Sequence, residues 1–394
     1  MSVTLHQGDA REVLKRLPAE SVQVCVTSPP YLGLRSYLPD GHPDKAREIG
    51  LEQSPAEFVA AMVEVFREIR RVLRPDGTAW LNLGDSYASD TKGSGGSGKS
   101  GLMRDGRPES GRQSSDAANA RALFAPRRID HGLKPKDLMM IPNRVVIALQ
   151  DDGWWVRSEI VWHKRAPMPE SVRDRPTCAH EKVWLLTKAA RYFYDAEAVA
   201  EPASENKPWS ASTNGGDKIA FRGDRGALGK PADGTRNLRN VWTLAPEPSS
   251  LAHFAMMPTR LAETCIKAGS SEKGQCPHCG SPWVRNVSAG PEKPGIERGK
   301  HPSDYRSTGQ PQRHANGGLG TRERVTTGWS PSCSCPPHEP VPQTVLDPFS
   351  GAGTTLLVAD RLQRHAVGVE LNPDNCRLIR DRLAGDAPLF AEVA

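Results

Sequence analysis

"TVLDPFSGAGTTLLVADRLQRHAVGVELNP" occupies residues 344–373. An apolar run ends in Asp347, a loop with Gly351 and Gly353 follows, a helical pattern opens near Thr354, and a second apolar run, "AVGVE", ends in Glu370. Strand, loop, helix and strand in this order make one unit of a parallel sheet. The glycines permit a tight turn and close approach of a ligand to the backbone, while the start of the helix offers unpaired N–H groups. An acid ending the second strand, 17 residues after Gly353, can take both hydroxyls of a ribose. A nicotinamide fingerprint does not fit, because "SGAGTT" has only GxG, and a Walker loop does not fit, because no lysine follows the glycines.

The same grammar opens the chain. "VQVCVT" (22–27) reads as a strand, "PAEFVAAMVEVFREIRRVL" (55–73) as a helix closed by Arg74-Pro75-Asp76-Gly77, and "TAWLNLGD" (78–85) as the next strand. Further on, the pattern predicts a helix over 142–149, strands over 154–164 and 183–195, and a helix over 255–270. The expected fold is α/β, with a mostly parallel sheet and helices on both faces. "VTSPPYLGLRSY" (26–37) ends the first of these strands unusually. Proline cannot donate to a sheet ladder and biases its predecessor to extended geometry, so Ser28-Pro29-Pro30 leaves the sheet as a stiff segment. Something at that strand end is held in a fixed pose.

Composition narrows the class. With 37% apolar and 25% charged residues, no apolar run of membrane-spanning length and no basic-then-apolar leader, the chain reads as a cytoplasmic globular protein. Residues 91–136 carry ten Lys or Arg against four Asp or Glu, so this segment alone matches the +6 of the whole chain. Basic charge gathered in one polar stretch suits a polyanion such as DNA, and equally a merely solvated loop. Residues 90–120 hold too few apolar side chains to fold alone.

Of eight cysteines, Cys25, Cys178, Cys265 and Cys376 stand singly in strand or helix patterns and read as packing residues or inert thiols. "CPHCG" (276–280) and "CSC" (333–335) are paired, inside a Gly-, Pro- and His-rich insertion too polar to form a core. Cys276, Cys279, Cys333 and Cys335 therefore read as a structural tetrahedral Zn2+ site, with His278 and His338 as substitutes. The knuckle either presents Trp283, Arg285 and the basic tract 298–324 to DNA or only braces the protein.

"DPFSGAGTT" closely resembles the S-adenosylmethionine-binding motif of DNA amino-methyltransferases, and "TSPPY" resembles their catalytic motif. The catalytic motif comes first and the cofactor motif last, which resembles the permuted arrangement called the beta class. "HQGDAREVLKRLPAESVQVCVTSPPY", "MPTRLAETCIKAGS" and "PMPESVRDRPTCAHEKVWLLTK" (167–188) look like members of that group of phage and bacterial enzymes. The resemblance covers most of the chain outside 90–135, 200–236 and 271–341. It implies a Rossmann-like S-adenosylmethionine-dependent methyltransferase fold. Asp347, Pro348, Phe349, Ser350, Gly351 and Gly353 would surround the methionine part of the cofactor. Glu370 would hold the ribose, Asp9 and Ala10 would meet the adenine, and Thr27, Thr354 and Thr355 complete the set.

An exocyclic amine is a poor nucleophile because its lone pair is conjugated with the ring. Ser28 and the carbonyl of Pro29 can accept hydrogen bonds that favour a pyramidal nitrogen. Pro29 and Pro30 stiffen the segment, and Tyr31 offers a ring face to a base that has left the duplex. Methylation at ring carbon 5 would need a cysteine nucleophile, usually in a Pro-Cys dipeptide, and none occurs. "SPPY" rather than "DPPY" points to cytosine N4, with adenine N6 as the runner-up. A zinc-containing DNA-binding protein without catalysis is the distant alternative.

The chain thus divides into a catalytic half at 1–89, a basic loop at 90–135, a continuation of the sheet at 136–195 and a candidate target-recognition region at 196–250. A connecting helix at 251–270, the zinc insertion at 271–341 and the cofactor half at 342–394 follow. The expected partner is double-stranded DNA, with Arg127, Arg128, Lys134 and Lys136 as contacts, together with a cognate restriction endonuclease. Monomer and homodimer both fit.

Overall fold

Apolar side chains at Phe58, Met62, Val65, Ile69 and Val72 recur at helical spacing and are buried. Ser54 caps that helix by accepting from the Glu57 amide at 3.2 Å, and Pro55 takes its first position, where no backbone donor is needed. In the computed structural model these residues form the helix Pro55–Val72. The structure describes residues 2–34, 36–39, 41–88, 132–167, 169–202, 235–245, 247, 256–292, 322–386 and 392–393. Arg127 and Arg128 and most of 196–250 lie outside them.

Among the described residues the helices are α1 (Ala10–Arg16), α2 (Pro55–Val72), α3 (Ile141–Asp151), α4 (Thr259–Gly269), α5 (Thr354–Arg361) and α6 (Pro373–Asp386). The strands are β1 (Ser2–Gln7), β2 (Val22–Thr27), β3 (Leu73–Leu83), β4 (Trp155–Lys164), β5 (His180–Thr187), β6 (Glu201–Pro202) and β7 (Thr235–Arg236). β8 (Val241–Leu244), β9 (Trp283–Glu292), β10 (Arg322–Pro331), β11 (Thr344–Asp347), β12 (His365–Glu370) and β13 (Glu392–Val393) complete them. No helix among them is long and apolar enough to cross a membrane.

One sheet runs in the order β13-β1-β12-β11-β2-β3-β5-β4-β8. Every ladder from β13 to β3 is parallel, β5 is antiparallel to both β3 and β4, and β8 is parallel to β4. The period-2 alternation sorts the strands between two cores: Cys25, Ala79, Leu81 and Leu83 meet α1, α2 and α3, whereas Val24, Val26 and Trp80 meet α4, α5 and α6. The crossover from β2 to β3 therefore lies on one face and that from β11 to β12 on the other. Because β2 and β11 are neighbours, their C-terminal ends flank a topological switch point, where open α/β sheets bind ligands.

Two local expectations change. β3 begins at Leu73, because residues 74–77 are taken up as an irregularity between the pairs Val22–Leu73 and Val24–Thr78. The strand expected over 183–195 ends at Thr187. Beyond it Lys188 donates to the Leu73 carbonyl and the Asp195 amide to the Ala268 carbonyl, so the segment runs along the sheet's far edge.

The cysteine insertion roots at that same edge. Gln23 at the start of β2 bonds the side chain of Gln275 and the amide of Thr344, and the Ser271 amide donates to Gln343 at 2.6 Å. β9 and β10 rise from it as an antiparallel ribbon. The six residues of β2 at about 3.3 Å each set its root roughly 20 Å from the switch point.

Candidate active site at the strand ends

β1, β12, β11, β2 and β3 are parallel, so their C-terminal ends gather the sequence-predicted residues on one edge. Thr27 ends β2 and Asp347 ends β11. Although 320 residues apart in the chain, they meet in a buried hydrogen bond of 2.7 Å from the Thr27 hydroxyl to Asp347 Oδ1. The Phe349 amide donates to the same oxygen at 3.1 Å. Gly351 (φ +54°) and Gly353 (φ +75°) take left-handed backbone that turns the loop into α5, and a Cβ on Gly353 would press Ile379 at 3.0 Å.

Glu370 ends β12 beneath this loop. Its Oε2 accepts from the Gly351 amide and its Oε1 from the Asn372 amide, both at 2.8 Å, and Asn375 adds a bond at 3.3 Å. Burial pushes the Glu370 carboxyl up to about 7, its hydrogen bonds only partly opposing this, with the charge of Asp347 adding to the rise. Burial likewise pushes Asp347 up to about 6, opposed in part by its hydrogen bonds from the Thr27 hydroxyl and the Phe349 amide. Among the described residues, no cationic side chain pairs with either carboxylate. Chemically, such a loop can take a ligand that brings positive charge and hydroxyl donors.

Asp9 follows β1, next to Gly8, whose amide donates to the Glu370 carbonyl at 2.9 Å. It caps α1 through the Arg11 amide and binds the Arg11 guanidinium at 2.6 and 3.0 Å. Burial raises its carboxyl, but the hydrogen bonds and charge of Arg11 outweigh that and hold it below its ordinary value. Ala10 is buried beside it. The hydroxyls of Ser350, Thr354 and Thr355 are taken by protein partners, the Asp347 carbonyl, Arg382 and the Val26 carbonyl respectively. Their side chains hold the loop's shape.

On the β2 side, Ser28-Pro29-Pro30-Tyr31 leaves the sheet as the prolines require. Tyr31 lies over Gly84, where a Cβ would come within 2.5 Å of its ring. Its hydroxyl donates to Glu181 Oε2 at 2.7 Å, and Asn82 Nδ2 lies 2.9 Å from that hydroxyl and 3.2 Å from Ser28 Oγ. Burial first, then the Glu181 charge, push the Tyr31 phenol well above its ordinary value. The described residues 36–39 and 41–50 bridge the two halves. Buried Glu48 gathers the amides of Tyr37 and Leu38 and the Ser36 hydroxyl, while Asn372 donates to the Tyr37 carbonyl at 2.8 Å. Asn82 and Glu48 escaped the sequence reading, because isolated polar residues in strands and loops carry no local signature, and Glu181 lies in the 167–188 stretch that resembles the family but was given no role.

Elsewhere the predicted residues fare differently. The Sγ atoms of Cys276, Cys279, Cys333 and Cys335 all lie within 4.8 Å of one another. Arg285 is committed to Asp195 at 3.1 Å and Glu272 at 2.6 Å and lies over the Trp329 ring, so it is not free for DNA. Lys134 and Lys136 are exposed and pair with Asp137 (3.5 Å) and Asp174 (2.7 Å). Among the described residues neither faces the switch point through a bond.

Comparison with known proteins agrees with this edge. The DNA methylase family of N6 and N4 enzymes matches residues 22–281 and 333–381, breaking off across the ribbon between the two cysteine pairs. Type II methyltransferase M.Cfr9I of Citrobacter freundii is 35% identical over 97% of this chain and 88% of its own length. M.SmaI of Serratia marcescens is 34% identical over 95% and 89%. Among solved structures, PvuII DNA methyltransferase, a cytosine-N4-specific enzyme, shares the fold at 15% identity and a TM-score of 0.50, over 100% of this chain and 94% of that one. With a family match over most of its length and relatives matched nearly end to end, the chain belongs to the N6/N4 DNA methylase family and is a DNA methyltransferase.

Proposed function

We propose that this protein transfers the methyl group of S-adenosylmethionine to the N4 amine of a flipped-out cytosine in duplex DNA. The observation that carries this reading is the pairing, across neighbouring strand ends, of two un-neutralised buried carboxylates with a serine hydroxyl on a proline-stiffened segment. A cationic, hydroxyl-bearing ligand suits Asp347 and Glu370, whereas the anionic pyrophosphate of a dinucleotide would meet two carboxylates.

Bound S-adenosylmethionine supplies an electrophilic methyl group on a sulfonium. Glu370 takes the ribose hydroxyls, and the amides around Gly351 define the turn. Ser28 Oγ and the Pro29 carbonyl accept from the target amine and draw its lone pair out of conjugation. With that group bound, the target nitrogen held by Ser28 and the Pro29 carbonyl would gain the methyl group as the S–CH3 bond breaks with its electron pair left on sulfur, and would shed one proton to solvent. The Tyr31 ring, fixed over Gly84, stacks on the base and offsets part of its unstacking cost of a few kcal/mol.

We assign the four clustered thiols to one structural Zn2+. Tetrahedral coordination at about 2.3 Å separates sulfurs by roughly 3.8 Å, which fits a cluster whose Sγ atoms all lie within 4.8 Å. The site's place at the edge away from Ser28 makes it a brace for the β2 and β11 starts. The relatives' standing as type II methyltransferases supports a restriction endonuclease as functional partner.

Digesting methylated DNA to nucleosides and separating them by mass tests the assignment. N4-methylcytosine is expected. N6-methyladenine alone would transfer the same mechanism to adenine, and 5-methylcytosine would refute it.

A further inference from the structure

Glu181 sits on β5 and Lys164 on β4, in the antiparallel half of the sheet that holds neither the Ser28–Tyr31 segment nor the 347–355 loop. Both reach the end of β3. Lys164 Nζ lies 2.5 Å from Glu181 Oε1, and the opposite oxygen, Oε2, receives the Tyr31 hydroxyl at 2.7 Å. Asn82 Nδ2 stands among three oxygens: Tyr31 at 2.9 Å, Glu181 Oε2 at 3.1 Å and Ser28 Oγ at 3.2 Å. The amide side chain is only 2% exposed, so its orientation is set by these partners. Reversed, its oxygen would oppose the Glu181 carboxylate, and its two donors would face away from all three acceptors.

We propose that Glu181 is a positioning residue for methyl transfer, locking the Tyr31 ring through its hydroxyl and, through Asn82, fixing the Ser28 oxygen as an acceptor toward the target amine. This rests on the reading that the base is received by Ser28–Tyr31. A stacking platform needs only the face of Tyr31, yet here the phenol is held at its far end by a carboxylate and along its ring by Gly84. Held at two points, the ring has little freedom to lose when a base arrives. Asn82 donates into one lone pair of Ser28 Oγ, so the hydroxyl meets the amine with a fixed oxygen and needs no reorientation as charge develops. Lys164 supplies the charge partner that makes a carboxylate tolerable at this depth.

The test is single-turnover methyl transfer by Glu181→Gln, Tyr31→Phe and the double variant, with S-adenosylmethionine affinity and thermal unfolding measured alongside. Glu181→Gln is expected to slow transfer by between about ten- and a hundredfold, in line with misplacement of a reacting group, and to leave cofactor affinity and unfolding near wild type. The loss should be smaller in the Tyr31→Phe background by the share that acts through the phenol hydroxyl, leaving only the share that acts through Asn82. Wild-type rates in Glu181→Gln overturn the inference. So does a parallel loss of cofactor binding or of thermal stability, which marks a merely structural contact. Should Glu181→Gln not fold, Tyr31→Phe removes the contact from its other end, and an unslowed Tyr31→Phe enzyme overturns it equally. Wild-type protein that leaves DNA unmethylated overturns the underlying functional reading, whereas a methylating wild type with an unaffected Glu181→Gln overturns this inference alone.

Discussion

Lowering the pH should weaken S-adenosylmethionine binding, and the structure sets the window. Glu370 lies at about 7 and Asp347 at about 6, both raised by burial, and among the described residues no cationic side chain pairs with either. The ligand's hydroxyls and positive charge favour the ionised carboxylates, so binding competes with a proton. From about pH 8 to about pH 6, the protonated fraction of Glu370 raises the apparent Kd about tenfold and that of Asp347 about twofold more, roughly twentyfold together. The two carboxylates interact, so the steps belong to the pair. Stability of the unliganded protein moves the opposite way. A carboxyl raised in the folded state contributes stability that is full below its unfolded value, near 4.5 for Glu370, and is lost as pH rises through about 7. Calorimetric titration across this range, with unfolding followed in parallel, measures both. Glu370→Gln should lose the tenfold component and keep the smaller one. A wild-type Kd that does not change between these pH values would refute the claim that the loop holds un-neutralised carboxylates against the ligand.

Ser28→Ala should slow methyl transfer about a hundredfold, near 3 kcal/mol, with cofactor affinity unchanged, by analogy with loss of one preorganised oxyanion-hole donor; single-turnover rates and calorimetry together check it. Gly84→Ala places a Cβ within 2.5 Å of the Tyr31 ring and should cut the transfer rate at least about tenfold through displaced stacking, while circular dichroism stays native. Protein purified without chelators should carry one zinc per chain by elemental analysis, and Cys333→Ser with Cys335→Ser should remove it. Losing the metal should lower the unfolding temperature through the β2 and β11 starts while cofactor affinity persists.

Much of the strand-end loop at 347–354 was legible in the chain itself, because turn chemistry and periodicity are local. Glycine at 351 and 353 forces the loop, the alternation of Val24, Cys25 and Val26 makes a strand covered on both faces, and Ser54 with Pro55 starts α2. Two prolines after Thr27 must leave the sheet wherever the strand lies. The cysteine spacing likewise predicted the cluster that the fold assembles.

Strand order is a different matter, since pairing is decided by contacts hundreds of residues apart. Only the tertiary structure sets β11 beside β2, and so Asp347 against Thr27. It alone turns β4 and β5 antiparallel and brings Lys164 and Glu181 to Tyr31, a meeting that no spacing announces because each is a single polar residue in an otherwise ordinary strand. It also decides that the cysteine cluster sits at the start of the parallel strands, away from Ser28, and that Arg285 is spent on Asp195 and Glu272. Local chemistry fixes which residues can bind and react, while long-range pairing fixes which of them meet.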